Sequence, residues 1–439
     1  MLAKICFAVS LIAVVPVWSQ VNTAAIELAG DPAVNNDSRM LTPPPVNGGT
    51  YPVAGSAQTR ANYLRTGISF SSAYTDYLSR DVTGHPIGDA SYSIWPTLEL
   101  DKSTSRLYSV LSYSPVFTFY QRVSSHNEAD ENLAANLQYR LSPHVTVSLR
   151  DSFQKTSNIF NQPDLASAPV QAPTVAVIAP IADRLTNTGN AEITYQYGLN
   201  GMVGASGTFT TLHYPNRAEV PGLFDSSSKG GSTFYNHRFS KRHYLGALYQ
   251  YQRILSDSVG ARKYEVQTHT VSAFYTIYLK PSLSLSVSGG PQRSVAQSAT
   301  GTWSPSVTAS LGWRGRHTSL AASYSRTVTG GGGLWGAFNS KNANTSASWQ
   351  FARAWNVGLT GTYSIYKNLG PFLFFSSRGG HTVGGNASIG CQLREHLNLE
   401  VGYMRLHQSY SSIAVVSTTP DTNREFISIS YQFVRPLGR

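Results

Sequence analysis

The chain from residue 62 onward consists of short runs in which apolar and polar residues alternate. Residues 133–141 place Leu, Ala and Tyr at the odd positions and Ala, Asn, Gln and Arg at the even ones. The same alternation recurs at 145–150, 282–288 and 397–403. A period of two predicts β-strands that have one apolar and one polar face.

The connections between these runs alternate between short and long. Eighteen runs can be counted between residues 62 and 433, and sixteen is the nearest alternative. This pattern predicts an all-β fold, a transmembrane antiparallel up-and-down β-barrel with short periplasmic turns and long extracellular loops. The predicted long loops are 155–187, 214–231, 329–342, 368–381 and 409–422, and the short turns include Ser142-Pro143 and Asn200-Gly201.

Composition supports a barrel over a helical membrane protein. The 439 residues are 41% hydrophobic and 13% charged, with a mean hydropathy of −0.18, whereas soluble proteins contain about 25% charged residues. After the leader, no stretch approaches 18 consecutive apolar residues. A soluble all-β fold such as a propeller stays open as an alternative. Pro96, Pro115 and Pro305 interrupt predicted strands, so each should mark a bulge or a misplaced boundary.

Four segments are predicted along the chain. Residues 1–19 have the charge, apolar run and small residues of a secretory signal peptide, with cleavage before Gln20. Residues 20–61 form a flexible, Pro-, Gly- and Asn-rich periplasmic segment, too short for a folded plug domain but able to enter the pore in part. Residues 62–433 form the barrel and 434–439 a C-terminal tail.

The end of the predicted barrel resembles the closing strand of Gram-negative outer-membrane proteins. In residues 425–433, Ile427, Ile429, Tyr431 and Phe433 alternate with polar side chains. In that family such a strand is read by the barrel-assembly machinery, which is therefore an implied partner. The tail after Phe433 departs from the family pattern. Families of similar size include general and sugar-specific porins and exopolysaccharide exporters similar to alginate-export porins.

Charge suggests a basic path through the pore. The formal charge is +11, and Lys4 is the only charged residue in the leader. An exported chain does not ordinarily meet nucleic acid, so anionic solutes or surface lipopolysaccharide are the expected partners. The alternative is that the inward charges have no functional role and are solvated or paired with acids. The candidate pore-lining residues are Arg65, Arg106, Arg140, Arg150, Arg238, Arg314 and Arg394, with Glu192 and Glu400 as acids.

Catalytic and cofactor motifs are weak. Residues 331–336 match a dinucleotide fingerprint literally, but no helix pattern follows, so we interpret them as a flexible surface loop. The histidines have no metal-ligand spacing and assemble no Ser/His or Asp/His site, and a lone Cys391 remains after the leader. We therefore expect no enzyme activity, cofactor or metal.

The functional hypothesis is a porin-like channel for passive passage of small hydrophilic, mildly anion-preferring solutes, in the outer membrane among phospholipid and lipopolysaccharide. Loop 155–187 is the predicted constriction, and a homo-oligomer stays open. Two alternatives are an exopolysaccharide export porin and a plugged barrel that presents its loops for surface adhesion or recognition.

Overall fold

A computed structural model describes most of the chain. The described residues are 40, 42–43, 46, 62–80, 86–124, 127–156, 183–217, 220, 222–257, 263–296, 301–330, 332–369, 379–410 and 421–437. The predicted signal peptide, most of segment 20–61 and the central part of loop 155–187 lie outside these residues. No helix in the described part is long and apolar enough to cross a membrane.

The described residues form one sheet of nineteen strand segments. These are β1 (Tyr63–Arg80), β2 (Pro86–Ser103), β3 (Leu107–Tyr113), β4 (Val116–Tyr120), β5 (Glu128–Arg140), β6 (Val145–Thr156), β7 (Arg184–Tyr197), β8 (Gly201–His213), β9 (Asp225–Arg238), β10 (His243–Asp257), β11 (Tyr264–Lys280), β12 (Leu283–Ala296), β13 (Thr302–Arg314), β14 (Thr318–Gly330), β15 (Ala337–Ala352), β16 (Trp355–Asn368), β17 (Gly380–Arg394), β18 (Leu397–Tyr410) and β19 (Asp421–Pro436).

The sheet closes on itself and is an eighteen-strand antiparallel barrel. β3 and β4 both pair with β2 and β5, so they are two halves of one strand. β1 pairs with β2 on one side and with β19 on the other, from Tyr63 opposite Pro436 to Thr75 opposite Arg424. The strands therefore pair around the whole circumference, as the hydrocarbon core of a membrane requires. The prediction of about eighteen strands is confirmed, and sixteen is excluded.

The three predicted prolines mark local faults in this ring. Pro115 separates β3 from β4, and Pro96 on β2 faces the resulting gap, because β2 pairs with β3 from Leu98 onward and with β4 up to Ile94. Proline has no N–H to donate. Because the two prolines lie in the same gap, the fewest hydrogen bonds between strands are lost. Pro305 lies opposite Pro291 of β12, beyond the last residue of β13 that pairs with β14.

The two faces of the barrel differ as the alternation predicts. Ile68, Leu149, Ile389 and other large apolar side chains point outward and are exposed, whereas Ser91, Ser286 and Asn342 point inward and are buried. An apolar band around a closed ring is the surface of an outer-membrane barrel. Aromatic side chains near the ends of the strands also point outward: Tyr139, Tyr197, Tyr251, Trp313, Tyr324, Trp355, Tyr363, Tyr403, Tyr431 and Phe433.

Two ends of strands differ from the sequence interpretation. The hairpin between β7 and β8 turns through Gly198, Leu199 and Asn200, with a positive φ of 65° at Gly198, whereas Gly201 already pairs with Tyr197. Asn200-Gly201 is therefore not the turn dipeptide, because Gly198 supplies the left-handed conformation. β19 runs on past Phe433 to Pro436, so the start of the predicted tail is paired with β1.

The two-faced strands allow a direct test in lipid. Ile389 on β17 points outward and Ser388 points inward. Because arginine near the bilayer midplane costs about 2–4 kcal/mol, Ile389→Arg should lower the free energy of unfolding by that order in guanidinium titrations of vesicle-inserted protein. Ser388→Arg, the matched inward control, should lower it much less; an equal loss in both variants would contradict the assigned faces.

Candidate functional site: the lumen

A strand hairpin on one wall folds into the lumen at the extracellular end. β13 and β14 pair only up to Val307 opposite Arg326, whereas β14 and β15 stay paired to Gly330 opposite Ala337. Beyond Arg326 the hairpin leaves the wall. We call residues 327–340 the inward hairpin.

The inward hairpin packs on the inner wall of β10–β12. Val328 is buried against Ile254 of β10 and Val266 of β11. Gln292 of β12, itself 2% exposed, accepts a hydrogen bond from the Val328 backbone N–H (3.0 Å) and lies 3.4 Å from the Thr327 hydroxyl. The hairpin is therefore held by both apolar burial and a buried amide, which fixes its position across the lumen.

A second inward element meets the tip of this hairpin. The connection from β8 to β9 turns inward at Tyr214, which is fully buried and donates a hydrogen bond to the Gly332 carbonyl (3.3 Å). The Phe224 N–H donates to the Gly333 carbonyl (2.9 Å), and the Phe224 ring lies 5.1 Å from that of Trp335. Burial raises the pKa of the Tyr214 hydroxyl, so this group stays a neutral donor. The two turns thus hold each other inside the barrel.

These contacts correct the interpretation of residues 331–336 as a surface loop. Gly332, Gly333, Leu334 and Gly336 are buried. Gly332, Gly333 and Gly336 have φ values of 57°, 106° and 107°, and a Cβ on Gly333 would lie 2.7 Å from the Tyr214 hydroxyl. The glycines therefore serve backbone conformation and close packing, not phosphate binding. The apolar cluster around the two turns also contains Leu212, Val220, Leu223, Phe338, Tyr366 and Tyr410.

The described part of the N-terminal segment lies inside the periplasmic half of the lumen. Met40 is buried together with Met202 of β8 and Phe234 of β9, and Val46 packs against the same cluster with Tyr244 and Leu248 of β10. All four barrel residues point inward, so this stretch of the wall is apolar where a water-filled pore would be polar. The segment covers that apolar patch.

Polar contacts fix the register of the segment on the wall. The Met40 N–H donates to Gln196 Oε1 (3.3 Å), and the Thr42 hydroxyl donates to Glu192 Oε1 (3.1 Å). The Asn236 side-chain amide, fully buried, lies 3.5 Å from the Met40 sulfur. We call residues 40–46 the lumen segment, with contacts described at 40, 42–43 and 46.

Four of the predicted arginines lie at the periplasmic mouth. Arg140, Arg238 and Arg314 occupy inward-facing positions at the ends of their strands, whereas Arg394 follows a register shift and lies opposite the outward-parity Leu397. β5, β9, β13 and β17 are four strands apart, and six strands separate β17 from β5, so the four arginines lie around the mouth. Arg238 donates to the Leu199 carbonyl (2.7 Å), and Arg140 lies 3.5 Å from the Ser105 carbonyl. We call this set the arginine ring: Arg140 on β5, Arg238 on β9, Arg314 on β13 and Arg394 on β17.

The other predicted residues separate into three groups. Arg65 points inward and forms an ion pair with Glu99 of β2 (2.8 Å). Arg150 and Glu192 lie on adjacent strands, diagonal to each other, and Glu192 also binds the lumen segment. Glu400 has the inward parity of β18. Arg106 differs from the prediction, because it lies exposed in the turn between β2 and β3 and not on a strand face.

Inward charges are confined to one sector of the wall. Outside the arginine ring, strands β12–β17 place no Asp, Glu, Lys or Arg at an inward position, and their inner face carries Ser, Thr, Asn and Gln. Hydroxyls pair across this face, as between Ser319 and Ser348 (2.6 Å). The opposite sector holds buried charges that sequence alternation did not single out: Asp89, Asp101, Asp130, Arg184 and Arg424.

One carboxylate in the charged sector binds the backbone of the connection that follows β4. Asp89, 1% exposed, accepts hydrogen bonds from the N–H groups of Arg122 (2.9 Å) and Val123 (2.9 Å), which follow β4. This fixes the connection to β5 over the inner wall. The sequence does contain a signal for this interaction, because Asp89 lies at an inward strand position. Burial of a carboxylate there is unfavourable unless hydrogen-bond donors lie nearby.

The described residues contain no metal site, and one histidine–carboxylate pair has a structural role. No group of three or more His, Cys, Asp or Glu in the described part could hold a metal ion. Asp225 contacts His213 (2.8 Å) and Arg217 (2.8 Å) and accepts a hydrogen bond from the Tyr214 N–H (2.9 Å). These contacts hold the inward turn after β8 in place.

Comparison with known proteins gives structural likeness only. No protein-family model and no curated protein matches the sequence. The chain is similar to the siderophore receptor PirA from Pseudomonas aeruginosa, with 12% identity over 86% of this chain and 81% of that one (TM-score 0.42). It is similar to the outer membrane protein OpdK from the same organism, with 9% identity over 85% and 99% (0.39), and to OccAB4 from Acinetobacter baumannii, with 9% over 86% and 99% (0.41). The closed ring with an apolar outer face is itself the architecture that the resemblance of the last strand predicts.

The position of the lumen segment can be tested by disulfide formation. In a Cys391→Ser background, Met40→Cys with Asn236→Cys should form a disulfide on mild oxidation, because the two side chains are in contact. A gel-mobility shift between oxidised and reduced protein measures it. Met40→Cys with Asn386→Cys, on the inner face of β17, is the control and should not cross-link. Equal cross-linking of both pairs would contradict a fixed segment.

Proposed function

We propose that this protein is an outer-membrane channel for small hydrophilic solutes, entered from the periplasmic side through the arginine ring and narrowed by the lumen segment and the inward hairpin. The observation that carries this proposal is the closed eighteen-strand ring with a polar inner wall, which at this size encloses more space than its own side chains fill. It acts without catalysis.

The inner wall suits solutes that form hydrogen bonds. The neutral sector on β12–β17 presents hydroxyl and amide groups, which can both donate and accept. The charged sector across from it contains Arg150, Glu192 and the Arg65–Glu99 pair. A solute that passes between the two sectors exchanges its water for protein groups at little cost, because both walls offer partners.

The arginine ring supplies the proposed anion preference. Its four cations lie around the periplasmic mouth. Such a ring raises the local concentration of anions within a Debye length, about 10 Å at 0.1 M salt. Deeper inside, Asp89, Asp130 and Glu192 reduce the field, so the preference should be mild.

Planar-bilayer recording tests the channel directly. The wild-type protein should give small steady conductance steps, because two inward elements narrow the lumen. Replacing residues 327–340 by a short Gly-Ser link should increase the step size several-fold, because one obstruction of the lumen is removed. A barrel that stays silent with and without the hairpin would overturn the channel proposal.

Neutralising the arginine ring tests selectivity. Arg140→Gln, Arg238→Gln, Arg314→Gln and Arg394→Gln together should lower the anion-to-cation permeability ratio, measured as reversal potential in a KCl gradient, and the difference should shrink at 1 M salt. The control removes exposed turn cations instead, with Arg242→Gln, Arg316→Gln and Arg353→Gln. A ratio that changes equally in both variants would assign selectivity to net charge and not to the ring.

A plugged barrel is the second candidate. The cluster of Tyr214, Leu334, Phe338 and Tyr410 excludes solvent as a protein core does, and it lies across the extracellular end of the lumen. In this case the extracellular loops, and not the lumen, would act, through surface adhesion or recognition. Conductance that appears only after removal of the inward hairpin favours this candidate. The described residues add no support for exopolysaccharide export over passage of small solutes.

A further inference from the structure

The acidic residues of this protein are absent from one long stretch of the barrel. Between Glu265 and Glu395 the sequence contains no Asp or Glu, yet it contains ten Lys and Arg. This stretch includes all of β12–β17, one continuous arc of the wall. The excess positive charge of the chain is therefore concentrated on one side of the barrel.

The cations of this arc lie at its two rims. Near the short turns they include two members of the arginine ring. Near the extracellular end the described cations are Arg293, Arg326, Lys341 and Lys367, and all four have the outward parity of their strands. On β14 this parity is set by the exposed Leu320 and Tyr324, on β15 by Trp349 and on β16 by Leu359 and Tyr363.

Three of these cations are contiguous on the outer surface. Arg326 of β14 lies directly opposite Lys341 of β15. Lys341 lies opposite Ile365 of β16, and Lys367 is the next outward residue on that strand. Diagonal neighbours of this kind are about 7–8 Å apart, within reach of long side chains. We call Arg326, Lys341 and Lys367 the outer basic triad.

Like charges that face each other across strands destabilise a sheet unless an anion lies between them. No member of the triad forms an ion pair with an acid among the described residues, and no acid exists on this arc of the sequence. Arg326 Nε is buried without a hydrogen-bond partner in the described part. Two other cations of the outer surface do pair with acids: Arg253 with Glu265 (2.6 Å) and Arg405 with Asp421 (2.9 Å).

The triad lies where the lipid headgroups of the outer leaflet are expected. Tyr324 lies two residues before Arg326 on the outer face of β14. Tyr363 lies two residues before Ile365, the residue opposite Lys341, on the outer face of β16. Both aromatic side chains are exposed. Trp303, opposite Arg293 on the adjacent pair of strands, is 68% exposed on the same side. Amphipathic aromatic rings mark the level of the headgroups. The ligand must therefore be an anionic lipid and not a solute in the lumen.

We infer that the outer basic triad is a binding site for the phosphate groups of lipopolysaccharide. Lipopolysaccharide is the lipid of the outer leaflet, and its phosphorylated base is at headgroup level. Three cations that converge on one phosphate form charge-assisted hydrogen bonds with it. This inference does not depend on the proposed channel, because the triad faces away from the lumen.

Titration with defined lipids tests the site. Detergent-purified, delipidated protein is titrated with micelles of bisphosphorylated lipid A, and bound lipid is counted by native mass spectrometry. The variant Arg326→Gln, Lys341→Gln, Lys367→Gln should bind about a hundredfold more weakly, since each of the three cations near an anionic surface contributes about 1 kcal/mol. Dephosphorylated lipid A should bind wild type as weakly as it binds the variant.

Two comparisons keep the test decisive. The variant Arg242→Gln, Arg316→Gln, Arg353→Gln loses the same charge at the periplasmic turns and should bind lipid A like wild type. The heat-induced mobility shift on gels verifies that each variant is folded. Undiminished lipid A binding by the folded triad variant, or equal binding of phosphatidylglycerol and lipid A by wild type, would overturn the inference. Bilayer conductance reports on the channel separately.

Discussion

Pairing of every backbone hydrogen-bonding group inside the ring is the constraint on which the rest of this structure depends. In hydrocarbon an unpaired N–H or carbonyl costs several kcal/mol, so the first and last strands must meet. The long β1–β19 ladder satisfies this requirement. Once the ring is closed, the pleat alone decides which side chains face lipid and which face the lumen, and the two-residue period follows.

The same constraint explains where the irregularities are tolerated. The paired prolines Pro96 and Pro115 place two missing donors in one gap, so the ladder is broken once and not twice. The inward hairpin leaves β13 at the extracellular end, where its freed backbone meets Gln292 and the turn at Tyr214 in place of a neighbouring strand. Departures from the ring are thus compensated by specific polar partners inside the lumen.

The sequence predicts the wall well and the lumen poorly, for a physical reason. Alternation is a local signal, so the strands, their faces and the inward parity of Arg140 or Arg238 could be predicted. The inward hairpin depends on contacts between residues more than a hundred positions apart, such as Tyr214 and Gly332. A long connection rich in glycine and aromatic residues has the same local pattern whether it lies on the surface or folds into the lumen. The sequence pattern therefore places residues 331–336 on the surface. Met202, Phe234 and Leu248 were a usable signal, since apolar residues at inward positions require a cover.

The docking place of the lumen segment has a consequence for how the barrel is assembled. The segment precedes β1, yet its partners Glu192, Met202 and Phe234 belong to strands in the middle of the chain. The part of the polypeptide that is exported first therefore has no surface to bind until much later strands are in place. Docking of the segment requires β7, β8 and β9 to be in place.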